Sequence, residues 1–242
     1  MNNSIKKRDI LQISVVLPCL NEERGIVFTL NQIVELLRNT KHEIEVLVVD
    51  NGSVDNTIKN SLLYKDKIPN LRIITESIPG YGAAYKKGII EARGDYIFMC
   101  DADGTYGFDD FDSYTVNIKH GSDFVIGNRF AYNFDSCVMP WTHRYIGNPF
   151  LTLLVRVLFS VDLKDVHCGK RMVSKRLLND LCLVSDGMEY ASEMVIKAVL
   201  KGYKITEIPI EYHARIGNSK LRTLRDGFRH LVCIIKLRMK KK

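Results

Sequence analysis

Four short apolar runs constrain this 242-residue chain more than anything else in it: Ile13–Pro18, Ile44–Val49, Leu71–Thr75 and Asp95–Cys100. Each has the length and the Val/Ile/Leu content of a strand buried on both faces, and helical segments separate them. Ile26, Leu30, Ile33, Val34 and Leu37 recur at helical spacing after the first run. A polar helix is expected over about residues 55–65, and a small-residue helix opens at Gly80-Tyr-Gly-Ala-Ala-Tyr and runs to Ala92. Strands that alternate with helices in this way predict an α/β fold, a mostly parallel sheet covered by helices on both faces. A hydrophobic share of 46% is enough for one main domain of this size.

Further along, Phe124–Gly127 reads as another strand. Residues 150–161 are apolar almost all round but too short to span a bilayer, so the choice is a buried or an interfacial helix. Leu177–Leu183 reads as a short helix, and Ser185 or Asp186 is placed to cap a helix from Glu189 to Leu200. Tyr203–Tyr212 alternates around Pro209, which fits an edge strand. No run of eighteen apolar residues occurs, and Met1–Leu11 is polar, so neither a membrane span nor a standard signal segment is expected.

The formal charge of +7 is concentrated at one end. Residues 220–242 carry nine Lys/Arg and one acid, which leaves the rest of the chain at −1 and argues against nucleic acid as the partner. Leu221, Leu224, Phe228, Leu231, Val232, Ile235 and Met239 share one face of that basic segment. The expected organisation is therefore a body over 1–220 and an amphipathic tail over 221–242, lying on an anionic membrane surface or packed on the body. Six scattered cysteines, with no C-x-x-C pair and no matching histidines, indicate reduced thiols and no zinc site.

In parallel sheets ligands bind beyond the carboxyl ends of the strands, and three polar segments fall there: Pro18–Glu22, Asp50–Ser53 and Asp101–Asp103. Asp101 and Asp103 end an apolar run one residue apart, followed by Gly104. Carboxylates at i and i+2 converge on one side of a strand or across a tight turn, and such a pair calls for a cation, Mg²⁺ or Mn²⁺. Gly80-x-Gly82 is not a dinucleotide fingerprint, since Tyr85 stands at the third glycine position.

Taken together, Val15-Val-Leu-Pro-Cys-Leu-Asn-Glu-Glu23, Val48-Val-Asp-Asn-Gly-Ser-Val-Asp55, the Gly80-Tyr-Gly82 helix start, Asp101-Ala-Asp103 and Ile126-Gly-Asn-Arg129 resemble family 2 glycosyltransferases of the GT-A fold. Glu207-Ile-Pro-Ile-Glu-Tyr212 followed by Arg215-x-Gly217-x-Ser219-Lys220 is similar to the branch that contains the dolichyl-phosphate mannose and glucose synthases. The likeness covers about residues 12–225. It implies that Pro18, Asn21 and Glu22 contact the donor nucleotide, that Asp50 holds the base, and that Gly82 lies at the donor site. It implies a metal at Asp101 and Asp103 bridging the donor diphosphate. Arg129, Arg144 and Arg215, with Ser219 and Lys220, fall at basic positions near acceptor or diphosphate, and Asp103, Arg129 and Arg215 are the residues expected to carry catalysis. Two departures are visible: Asn51 stands where a second Asp is common, and Thr105 where some mannose synthases have a metal-contacting Gln. The multi-span C-terminal segment of many relatives is not among these residues.

The reading that follows is an inverting, metal-dependent transfer of a hexose from a UDP- or GDP-sugar to dolichyl or polyprenyl phosphate, at the cytoplasmic face of a membrane. A sugar hydroxyl as acceptor is the alternative, with Glu189 or Glu193, one helical turn apart, as candidate base. A non-catalytic membrane-docking subunit and a nucleotidyltransferase are the weaker alternatives.

Overall fold

The computed structural model describes residues 10–132, 138–217, 220 and 223–240. Within them the chain runs β1 (Gln12–Cys19), α1 (Gly25–Asn39), β2 (Glu43–Asp50), α2 (Thr57–Leu62), β3 (Leu71–Thr75), α3 (Tyr81–Glu91) and β4 (Tyr96–Met99). It continues through α4 (Phe111–Lys119), β5 (Phe124–Asn128), a π-helical turn (His143–Gly147), α5 (Asn148–Phe159), β6 (Arg171–Ser174), α6 (Lys175–Leu181), α7 (Tyr190–Leu200), β7 (Ile205–Pro209) and α8 (Thr223–Met239).

Seven strands form one sheet in the order β3-β2-β1-β4-β6-β5-β7. The first four run parallel, with Val15 beside both Val46 and Phe98. Their side chains from Val15 to Leu17 and from Val46 to Val49 are fully buried, because helices cover both faces. The sheet is mixed and mostly parallel, with helices on both faces, as the strand–helix alternation predicts. β7 lies at an edge, where Pro209 leaves no ladder hydrogen bond unmade.

Two elements depart from the sequence expectation. β6 is an antiparallel strand inserted between β4 and β5, in a stretch where no strand was expected. Arg171 makes that possible: it is 1% exposed, and its guanidinium donates to the carbonyls of Cys168, Val166 and Ala191. α4 was not expected either, although Phe111, Tyr114 and Ile118 form its buried face. Ser185 and Asp186 do not cap α7, whose N-cap residue is Glu189. Asp186 instead pairs with Lys86 at 2.6 Å.

A candidate active site of two joined cavities

β4 ends at Met99, and the chain turns at Gly104, whose φ of +78° favours a residue without a Cβ. That turn brings Asp101 and Asp103 to the carboxyl end of the sheet, beside the loops that follow β1 and β2. Asp103 is buried, and its Oδ1 accepts from the Thr105 amide at 2.9 Å and the Thr105 hydroxyl at 2.6 Å. Thr105 thus fixes the rotamer of the carboxylate. Its Oδ2 makes no aligned hydrogen bond but is faced by Arg215 Nη2 at 2.5 Å. Asp101, half-buried, takes a long contact from the Tyr85 hydroxyl at 3.5 Å. Burial first, and then the charge of Asp103, raise its pKa above the usual carboxylate value.

Glu22 belongs to the same group. Its Oε1 meets Lys220 Nζ at 2.6 Å and Arg215 Nη1 at 3.6 Å, while Oε2 is buried without a hydrogen-bond partner. Burial pushes its pKa up against the pull of Lys220. Three carboxylates therefore crowd one spot with two cations among them. Among the described residues no cluster of three protein side chains is arranged to hold a metal ion. The two carboxylates of Asp101 and Asp103 suit in their chemistry a hard divalent ion such as Mg²⁺ or Mn²⁺.

Two cavities meet there. The first, of about 460 Å³, is lined by Pro18, Glu22, Asn51, Gly80, Asp103 and Lys220 among others. The second, of about 420 Å³, is lined by Arg129, His143, Leu151, His167, Tyr212 and His230 among others. Tyr81, Asp101, Met188, Arg215 and Asp226 line both. A hollow of about 490 Å³ at Gln12, Glu43 and Arg93 lies at the opposite ends of these strands, away from the carboxylates.

The expected site residues divide accordingly. Pro18, Glu22, Asp101, Asp103, Arg215 and Lys220 line the first cavity, and Arg129 the second. Asn21 and Asp50 hold loops: Asn21 Oδ1 accepts from the Val54 amide at 2.8 Å, and Asp50 accepts from the amides of Gly52 and Ser53. Asn51 reaches the cavity and fastens its rim, with Gly80 N donating to its Oδ1 at 2.7 Å. Gly82 serves packing, since a Cβ there would lie 2.4 Å from Ser185 O and 2.8 Å from Tyr190 Cβ. Arg144 lines neither cavity and lies over the Tyr145 ring at 5.3 Å, leaving His143 on the wall. Ser219 lies outside the described residues.

Arg129 is held by a residue that no motif pointed to. Asp165, fully buried, accepts from its Nε at 2.7 Å and its Nη2 at 2.8 Å. The guanidinium lies over the Tyr212 ring at 5.3 Å, so its remaining N–H groups are what it can offer a ligand. Neither candidate base is at the second cavity. Glu193 accepts from the amides of Val184 and Ser185 and pairs with Lys197 at 2.7 Å. Glu189 pairs with Arg229 at 2.7 Å. Glu189 and Glu193 are absent from the walls of both cavities.

The family model described as Glycosyl transferase family 2 matches residues 14–182. Among curated proteins, the low-salt glycan biosynthesis hexosyltransferase Agl6 of Haloferax volcanii is 34% identical over 226 residues, 90% of this chain and 52% of that protein. The chain thus spans about half the length of that relative. The dolichyl-phosphate hexose transferase of the same organism is 28% identical over 215 residues, 89% of each chain. Among solved structures, glucosyl-3-phosphoglycerate synthase from Mycobacterium tuberculosis, in complex with Mn²⁺, UDP and phosphoglyceric acid, superposes with a TM-score of 0.71 at 19% identity. It covers 94% of this chain and 78% of that one, a likeness of fold.

Proposed function

From the premise that this chain belongs to glycosyl transferase family 2, we propose that it moves a hexose from a UDP- or GDP-sugar to the phosphate of a dolichyl or polyprenyl lipid, with inversion at the anomeric carbon. The observation that carries this reading is the meeting of the two cavities at Asp101 and Arg215. Donor diphosphate and acceptor phosphate must approach each other there, two anions in one place. Arg215 faces both, and Arg129 lies on the acceptor side, so cations line the approach.

The donor lies in the first cavity, its diphosphate toward Asp101 and Asp103. Asp101 and Asp103 would hold a divalent ion there, Mg²⁺ or Mn²⁺, and such an ion would supply charge neutralisation of the leaving diphosphate. Support for it comes from the closeness of Asp101 and Asp103, and from the Mn²⁺ and UDP named for the structural neighbour. Lys220 and Arg215 neutralise the carboxylates that the diphosphate must pass. A lipid monophosphate is largely ionised near neutral pH and needs no general base, which agrees with a second cavity whose lining does not include Glu189 or Glu193. Relatives that act on dolichyl phosphate lend the acceptor its name. We assign the site of action to the cytoplasmic face of a membrane, where such a lipid presents its phosphate to soluble nucleotide sugars.

A hydroxyl acceptor would need a base, and Asp226 of α8 is a carboxylate on the wall of both cavities, beside the Asp101/Asp103 pair. Two variants separate the readings. Arg215→Ala is expected to lower transfer to polyprenyl phosphate about 100-fold, and Asp226→Asn to lower it little, with donor binding followed by calorimetry in both. Full activity of Arg215→Ala, or a dead Asp226→Asn that still binds donor, would contradict the lipid-phosphate assignment.

A further inference from the structure

α8 has two faces. Toward the body it buries His230 and Ile234 against α7, and Arg229 reaches Glu189. The apolar positions Leu224, Phe228, Leu231, Ile235 and Met239 recur every three or four residues on the opposite face, with Leu224 90% and Phe228 67% exposed. The helix therefore packs on the body and still presents a complete apolar stripe outward. Packing on the body and lying on a membrane are compatible for this segment, because they use different residues.

The neighbouring helix repeats the pattern. α5 buries Leu151, Val155 and Phe159 and exposes Phe150, Leu153 and Val157, the last at 69%. The turn before it exposes Trp141 and Tyr145, whose rings lie 5.9 Å apart. α5 and α8 touch each other, and His143 Nε2 lies 2.8 Å from Thr223 Oγ1 where the two segments begin. Two touching helices thus both carry exposed large apolar side chains, the composition of an interaction surface.

We propose that the outer faces of α5, its preceding turn and α8 form one platform that inserts into the headgroup region of an anionic lipid bilayer. Charge selects this occupant. Lys236, Arg238 and Lys240 are exposed on α8 alongside the stripe, and residues 220–242 carry +8 in all. Apolar side chains below the headgroups and basic ones among them is the arrangement of a helix lying in an anionic interface. Trp141 and Tyr145 belong at the same level. The platform also has a place in the fold: the second cavity lies between these two helices, with Leu151 on one wall and Gly227 and His230 on the other. That last point rests on the acceptor reading above; the platform itself stands on the outer faces and would hold for a glycolipid acceptor too.

Trp141 is the chain's one tryptophan, which makes it a direct probe. Its emission is followed while the full chain is titrated with phosphatidylcholine vesicles, with or without phosphatidylglycerol, and with acyl chains brominated or plain. Anionic vesicles are expected to blue-shift the emission, and brominated chains to quench it. Val157→Glu and Phe228→Glu, both at exposed positions, are expected to weaken partitioning about tenfold or more each, with unchanged thermal melts. Four outcomes would overturn the platform. Trp141 could stay unquenched while the protein still sediments with anionic vesicles, which means adsorption by charge alone. Both variants could bind as well as the parent chain. The parent could fail to bind any vesicle. It could also form a dimer that Val157→Glu dissociates, which places a second copy on this face. Loss of vesicle binding in the variants, with transfer to a soluble short-chain polyprenyl phosphate retained, would support the platform and leave the transferase reading intact.

Discussion

Arg215 stands where the charges of the site meet, facing Asp103 at 2.5 Å and Glu22 at 3.6 Å. It holds the acidic cluster together before any substrate or ion arrives, and the same fork can turn to phosphate when they do. Arg129 is different, because Asp165 already binds it through two hydrogen bonds in a fully buried position. Asp165→Asn would leave a buried guanidinium short of its counter-charge, a loss of roughly 3–5 kcal/mol and about 10 °C in Tm. Calorimetric melting checks this, and a Tm within a degree or two of the parent would show that the pair is not what secures Arg129. The convergence of Glu22, Asp101, Asp103, Arg215 and Lys220 was legible in the sequence, because each lies within a motif of fixed spacing. Asp165 was not: it pairs with a residue 36 positions away, and nothing local marks it. Asn21, Asp50 and Gly82 turned out to shape loops and helix packing around the cavity, a role the residue type allows as readily as ligand contact.

At the scale of elements, α8 closes the site as well as facing outward. His230 is 6% exposed, hydrogen-bonds Ser192 through Nδ1 at 2.8 Å and meets the His167 ring edge-on at 4.8 Å. Burial pushes its pKa down to about 4; Glu189 and Asp226 pull upward, Arg171 and Arg229 downward. An unfolded histidine takes up its proton near pH 6.5. Between that value and about 4 the unfolded chain binds a proton that the folded one refuses, so stability falls as pH falls through this window. The docking of α8 should thus lose on the order of 3 kcal/mol by pH 4, and His167, whose pKa burial also lowers, acts in the same direction. Melting curves from pH 7.5 to 4.5 should show the decline, shallower in His230→Gln; identical slopes in parent and variant would contradict it. The parallel strands and their helices were readable from short apolar runs alternating with helical segments. β6 was not, since four residues around a buried arginine carry no apolar pattern, whereas α4 could have been found from Phe111, Tyr114 and Ile118.

At the scale of the whole molecule, the sheet delivers the loops after β1, β2 and β4 to one end, and Tyr212, Arg215, Lys220 and α8 cover them. That cover gives one body two cavities with a common wall, one polar and rich in carboxylates, the other bounded by two helices with apolar outer faces. Deleting α8 would therefore open the site as well as remove the basic segment, and point substitutions are the sounder probe. The direct measurement is transfer of labelled hexose from UDP- and GDP-sugars, with Mg²⁺ or Mn²⁺, onto defined polyprenyl phosphate, by the parent chain and by Asp103→Ala. A lipid-extractable product whose sugar is released by mild acid, formed by the parent and lost in Asp103→Ala, is the result expected. A product stable to mild acid, or one that Asp103→Ala forms equally well, would contradict it.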